Sequence, residues 1–331
     1  MNADQFDQVK SKVKNKHPIH TGNYKIKTSI VEEAIKKIDE AIKFRIQGMI
    51  IYGPSGYGKS TAINIIKNEI YEKYDREILT FVSSMPDPLK NTNVFYTRLL
   101  KATNHDLFNK GSAQDKSDRL CSQLINLALE ENGNRKILFF IDEADALDKN
   151  EYQCLKDINN QLKAQSIEMT TILVGTEDLI SQRNLFSGMK EVQIVRRFMQ
   201  KTHIFNGIRT KKELQDVLGA YDFGMRFPLD SDLTYTNYFF PTAFSESKFL
   251  IHETENLYNC ICNIYGKTIF SKHGLSMSHL CNMIEFLFIE HGIEGAGDGW
   301  ITEDMWIETV KFADCGHEQD LLNACINGKR K

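Results

Sequence analysis

Residues 53–61 read Gly-Pro-Ser-Gly-Tyr-Gly-Lys-Ser-Thr and satisfy the pattern G-x-x-x-x-G-K-[ST]. That spacing carries a chemistry. Gly53, Gly56 and Gly58 let backbone N–H groups turn inward and approach phosphate oxygens with no Cβ in the way. Pro54, Ser55 and Tyr57 fill the positions between them. A helix that begins near Gly58 aims its positive end at the anion. Lys59 is expected at the β- and γ-phosphates, and the Ser60 hydroxyl on Mg²⁺. Gly53–Thr61 is therefore read as a site for ATP with Mg²⁺.

A second pattern supports the first. Lys136–Ile141 is an apolar run that ends in Asp142-Glu143. A buried strand ending in carboxylates opens on the ligand crevice of an α/β sheet. Asp142 is expected to hold Mg²⁺ through water, and Glu143 to polarise the attacking water. Asp145 and Asp148 read instead as solvated residues at a helix start. Thr176 ends another apolar run. It could bond the γ-phosphate or the attacking water, or it could cap the helix after it. Arg196 and Arg197 offer guanidinium groups suited to transition-state charge in a neighbour's site. They could equally be a surface pair.

These residues need elements to hold them. Ile30, Val31, Ala34, Ile35, Ile38, Ala41 and Ile42 recur at helical spacing over 29–44. Strands are expected at 48–52, 78–82, 136–141, 170–174 and 202–205. Helices are expected after Gly58 and at 92–103, 117–131 and 150–165. Strands alternating with helices argue a mostly parallel sheet covered on both faces. From about 248 the pattern is helical, with the apolar run 280–289. Between lies 219–247, with the eight aromatics Tyr221, Phe223, Phe227, Tyr235, Tyr238, Phe239, Phe240 and Phe244. The reading divides the chain into a basic arm (1–28), a P-loop core (29–218), an aromatic connecting segment (219–247), a helical lid (248–310) and a tail (311–331).

Composition narrows the class. Hydrophobic residues are 41% and charged residues 26% of the 331, which excludes collagen-like and wholly disordered chains. The net charge is −3, so nucleic-acid contacts must come from local clusters. One is the arm, with Lys10, Lys12, Lys14, Lys16, Lys25 and Lys27 and no acid between them. Another lies between the second and third strands, at Lys90, Lys101, Lys110, Lys116 and Arg119. No apolar run reaches the ~20 residues that cross a bilayer, and the start lacks a signal-peptide core. The expectation is a cytoplasmic protein away from membranes. Seven scattered cysteines suggest no disulfide framework. Cys260, Cys262, His273, His279 and Cys281 come nearest to a metal pattern, without the paired C-x₂-C spacing of zinc sites.

Together these motifs resemble AAA+ ATPases, over roughly 29–310. The finer resemblance is to the TnsC/TniB transposition regulators, as found in CRISPR-associated transposons. It rests on the Gly53–Thr61 loop, on Ile172-Leu173-Val174-Gly175-Thr176-Glu177, on Arg196-Arg197-Phe198, and on Leu257-Tyr258, Ile264-Tyr265-Gly266 and Gly299-Trp300-Ile301-Thr302. The resemblance implies an AAA+ core with a C-terminal helical lid, ATP hydrolysis, and ATP-dependent rings or filaments on duplex DNA, without sequence preference. It also implies a link between a TniQ-like target selector and transposase subunits. By motif, Lys59, Ser60, Asp142, Glu143 and Thr176 take the roles above, and Arg196 or Arg197 that of a finger. The sequence departs from the lid pattern at 272–279, which has no arginine. Sensing of ATP by the lid then falls to Lys272 or a histidine, or is absent. An initiator or helicase-loader ATPase is the alternative, but it normally adds a winged-helix domain of about 80 residues, and only some 20 follow the lid here. A signalling NTPase without DNA contact normally carries repeat arrays, and the sequence has none.

Overall fold

Residues on the central strands alternate between two apolar layers, as a sheet buried on both faces requires. Met49, Ile51, Leu138, Phe140, Ile172 and Val174 face one way. They pack on helices Ser29–Lys43 and Lys59–Lys73 through Ala34, Ile38, Ile63, Ile66 and Ile70. Ile50, Phe139, Ile141 and Leu173 face the other way. They meet helices Thr92–Ala102, Ala113–Glu130 and Lys149–Ala164 through Phe95, Leu99, Leu124, Leu155 and Ile158. The structure is a computed structural model and describes residues 16–88, 91–130, 135–293, 295 and 299–315.

The strands are β1 (Gly48–Tyr52), β2 (Leu79–Ser84), β3 (Lys136–Asp142), β4 (Glu168–Gly175) and β5 (Lys201–Ile204). They form one parallel sheet in the order β2-β3-β4-β1-β5. A parallel sheet gathers all strand C-termini at one edge, where such folds bind ligands. The register sets Ser84 beside Asp142 and Tyr52 beside Gly175. Between β4 and β5 lie helices Asp178–Gly188 and Val192–Phe198, to which the sequence reading gave no ranges. Arg196 and Arg197 lie in the last turn of the second.

This sheet unit spans Ile30–Phe205, and a second compact unit takes the chain on either side of it. The second unit is helical, with long helices Thr254–Tyr265 and Met277–His291. The segment 219–247 contributes to the core of this unit. Tyr221, Tyr235, Tyr238, Phe239 and Phe240 are buried in the core of this unit, with Leu257, Ile284, Phe288 and Trp306. The physical reason is their apolar area, too large to leave in water. The supposed arm contributes as well. His17 is fully buried, with its ring 4.5–5.0 Å from those of Phe227, Tyr235, Tyr238 and Phe239. Ile19 and Ile26 join the same core, while Lys16, Lys25 and Lys27 are exposed. Lys10, Lys12, Lys14, Lys90, Cys325 and the tail from 316 lie outside the described residues. Among the described residues, no helix is long and apolar enough to cross a membrane.

Candidate nucleotide site

The loop after β1 is shaped by close approach. A Cβ on Gly53 would fall 2.1 Å from the carbonyl oxygen of Phe205, so the position tolerates only glycine. Gly56 and Gly58 have φ of 79° and 87°, the left-handed region that glycine enters without strain. Gly58 is the N-cap of helix Lys59–Lys73 and provides no side-chain cap. The backbone N–H groups of that first turn are thus suited to phosphate oxygens. Lys59 Nζ donates to Gly53 O at 2.8 Å and Pro54 O at 2.6 Å. Burial pushes the Lys59 ammonium below its usual range, opposed by the carboxylates of Asp145 and Asp142. Ser60 and Thr61 are exposed beside it, and Tyr57 is buried. The donors, the cradle and the carboxylates fit a nucleoside triphosphate with Mg²⁺.

The carboxylates arrive from β3. Asp142 is buried at the strand end, and its Oδ1 accepts the Glu143 N–H at 3.0 Å. Glu143 has φ 55°, a left-handed conformation that costs a non-glycine residue roughly 1–2 kcal/mol. The bend turns its exposed side chain toward β2, where Ser84 Oγ donates to Oε2 at 2.6 Å. Sequence reasoning missed Ser84. Only the β2–β3 register reveals it, because the register sets Ser84 beside Asp142.

Asp145 corrects the sequence reading. It is no solvated helix-start residue, because the chain first makes a 3₁₀ turn at Ala144–Ala146. Asp148 is the helix start, closing a capping box with Glu151. Asp145 accepts the Thr176 N–H at 3.0 Å and the Thr176 hydroxyl at 3.2 Å. Burial pushes its carboxyl above the usual range, opposed by those two bonds. A Cβ on Gly175 would lie 2.6 Å from Asp145 Oδ2, so this glycine admits the carboxylate. A glycine closing an apolar strand was the available sequence signal. Thr176 also accepts the Asp178 N–H at 3.2 Å, so it begins the next helix while it anchors Asp145.

Arg196 and Arg197 are not brought to this edge. The Arg197 carbonyl oxygen would lie 3.0 Å from a Cβ on Gly48, at the opposite end of β1. Five residues of strand, about 16 Å, separate that point from the loop. Arg197 Nη1 donates to Asn160 Oδ1 at 2.8 Å, and Arg196 is exposed.

The other candidates fare unevenly. Lys116 is buried, donating to Asn93 Oδ1 at 2.5 Å and Thr97 Oγ1 at 2.7 Å. Arg119 donates to the carbonyls of Leu107 and Lys110, both at 2.8 Å. Lys101 and Lys110 stay exposed. In the helical unit, Ser276 caps helix Met277–His291, its hydroxyl lying 2.6 Å from His279 Nδ1. Lys272 is exposed there. Among the described residues, no three His, Cys, Asp or Glu side chains gather as a metal site.

Residues 44–182 match the model of the AAA domain family. No curated protein matches the chain. The fold is that of AAA+ P-loop NTPases and is shared with solved structures. The Aeropyrum pernix ORC2 protein, solved as ADPNP–ADP complexes, aligns at 14% identity over 90% of this chain and 72% of its own, with a TM-score of 0.60. The Aeropyrum pernix ORC1 protein in complex with DNA aligns at 11% identity over 86% of this chain and 65% of its own, with a TM-score of 0.52.

Proposed function

We propose that the chain is an ATP-dependent switch whose copies share nucleotide sites and assemble on duplex DNA. The observation that carries the proposal is the separation of parts. Lys59, Ser60, Asp142, Glu143 and the Asp145–Thr176 pair gather at one edge of the sheet, and Arg196 and Arg197 sit at the other. If the guanidinium that meets the transition-state charge is that of Arg196 or Arg197, it comes from a second copy. The loop amides and Lys59 bind the β/γ-phosphates, and Glu143 takes the proton of the attacking water. Mg²⁺ would be held by Ser60 and, through water, by Asp142, and would neutralise charge at the phosphates. Thr176 positions Asp145 and would face the γ-phosphate from the end of β4. Hydrolysis then resets the assembly.

Duplex contact follows from multiplicity rather than from one strongly basic chain. One or two exposed cations per subunit, such as Lys101 and Lys110, give about 6–12 phosphate contacts in an assembly of six or so, which costs ~10³-fold or more in affinity between 50 and 200 mM salt. The sequence resemblance makes the assembly a cytoplasmic link between a TniQ-like target selector and transposase subunits. The likeness in fold to two ORC proteins, one of them in complex with DNA, favours a second reading as an initiator-type ATPase.

Lys59→Ala tests the core of the proposal. ATP affinity by calorimetry should fall by ~100-fold or more, and ATP-dependent DNA binding should disappear with it. Equal ATP affinity in parent and variant would remove the nucleotide assignment. A pull-down with transposase and a TniQ-like protein, compared with one against a replicative helicase, separates the two readings.

A further inference from the structure

The N-terminal ends of β1 and β4 enclose a cleft of about 440 Å³ at the opposite end of the sheet from the P-loop. Arg45, Gln47, Asn159, Lys163, Glu168 and Thr170 line it. Glu168 is the one carboxylate among them, and Arg45 Nε donates to it at 2.8 Å. The Arg45 side chain is still 77% exposed, so its remaining N–H groups face water. Lys163 is exposed as well. Asn159 is buried, and Thr170 Oγ1 donates to Ile46 O at 3.0 Å. Arg197 belongs to the same neighbourhood, held by Asn160, the residue after Asn159. Arg135, Lys136 and Lys201 start β3 and β5 at this end.

The opposite end has the reverse sign. Glu143, Asp148, Glu177 and Asp178 are exposed there, against the cations Lys59, partly buried, Lys149, ion-paired to Glu191, and Arg183. A parallel sheet turns this segregation into a geometric fact, since every loop at one end follows a strand and every loop at the other precedes one. Two copies of such a unit would attract end to end. That contact is heterologous, so it propagates into rings or filaments.

We propose that the cleft beside Arg45 and Lys163 receives the acidic Glu177–Asp178 turn of a second copy. The inference rests on the reading that Arg196 and Arg197 act in a neighbour's site, because cleft and arginines share one end. It adds a recognition contact separate from the catalytic one. Glu177 and Asp178 directly follow Thr176, so their docking would set the neighbour's phosphate edge against the arginine end. Charge pairs of this kind govern partner choice and association rate, and salt weakens them.

The test uses the full chain with ATP, followed by sedimentation velocity at 50 and 200 mM salt. Arg45→Glu with Lys163→Glu should raise the concentration for half-assembly by roughly tenfold or more, since two attractions become repulsions. Binding of a fluorescent ATP analogue should stay unchanged, because neither side chain touches the P-loop. Glu177→Lys with Asp178→Lys should weaken assembly likewise. A 1:1 mixture of the two double variants sets each glutamate cleft against a lysine turn and each native cleft against a native turn, so alternating copies should assemble where neither variant does alone. Parent-like assembly by the first variant, or no assembly from the mixture of ATP-binding variants, would overturn the proposal. Loss of DNA binding with assembly intact would also overturn it and make the cleft a phosphate site. A parent chain that never assembles with ATP would instead defeat the shared-site reading on which the cleft depends.

Discussion

Glu143→Gln separates binding of ATP from its hydrolysis, and the structure sets the size of each effect. In the proposed site the loop amides and Lys59 meet the phosphates and Asp142 takes the metal, and none of these roles involves the Glu143 carboxylate. ATP affinity should therefore stay within about 3-fold of the parent, a difference under 1 kcal/mol. The fold should also tolerate the change. Ser84 Oγ donates to Glu143 Oε2 at 2.6 Å, and a glutamine side-chain oxygen can accept the same bond. The left-handed backbone at φ 55° is equally available to either residue. On the proposed roles, what is lost is the base. General-base catalysis contributes ~10²–10⁴-fold, or about 2.7–5.4 kcal/mol of barrier. Single-turnover hydrolysis with labelled ATP reads the rate, and a fluorescent ATP analogue reads the affinity. Hydrolysis at the parent rate would show that another group activates the water. A large loss of affinity would show that the Glu143 carboxylate helps to bind ATP, against the roles assigned here.

Two further perturbations probe the units separately. Phe239→Ser removes a fully buried ring that stacks on Phe288 at 4.8 Å, which costs about 3–5 kcal/mol and should lower the melting temperature by on the order of 10 °C or more; an unchanged melting curve would contradict the packing of Phe239 in this core. Burial pushes the Glu151 carboxyl up to about 7, so the folded chain holds that proton more tightly than the unfolded chain does. Its contribution to stability is largest below the unfolded pKa near 4.5 and is lost as pH rises through about 7, partly offset by Asp148, whose bond to Glu151 and other bonds hold it below its usual range. Glu151→Gln should flatten that slope and stabilise the chain at pH 8, and a melting temperature that falls at pH 8 would contradict the assignment.

Much of the site was legible because local rules fix it. The loop, the apolar strands and the carboxylates that end β3 are each set by neighbours in sequence. Ser84 was not legible, because its partner lies 59 positions away and only strand order joins them. Asp145 was misread because the helix start sits three residues later, at Asp148. The error at Lys116 was avoidable, since Lys116 shares a helix face with Leu120, Leu124 and Ala128 at four-residue spacing, and that face is buried. The aromatic segment lacked any period because its helices, Tyr235–Phe239 and Pro241–Ser245, are five residues each. Nothing in such short elements distinguishes core from connector before the packing is seen.

The shared site is tested most directly by mixing two inactive chains. Glu143→Gln keeps both arginines and cannot activate water. Arg196→Ala with Arg197→Ala keeps Glu143 and lacks the guanidinium groups. If each site draws its arginine from the next copy, a 1:1 mixture with ATP and duplex DNA should recover roughly a quarter of the parent hydrolysis rate, because a head-to-tail contact pairs each site with one neighbour at random. Hydrolysis in the mixture no greater than the average of the two variants alone would contradict it.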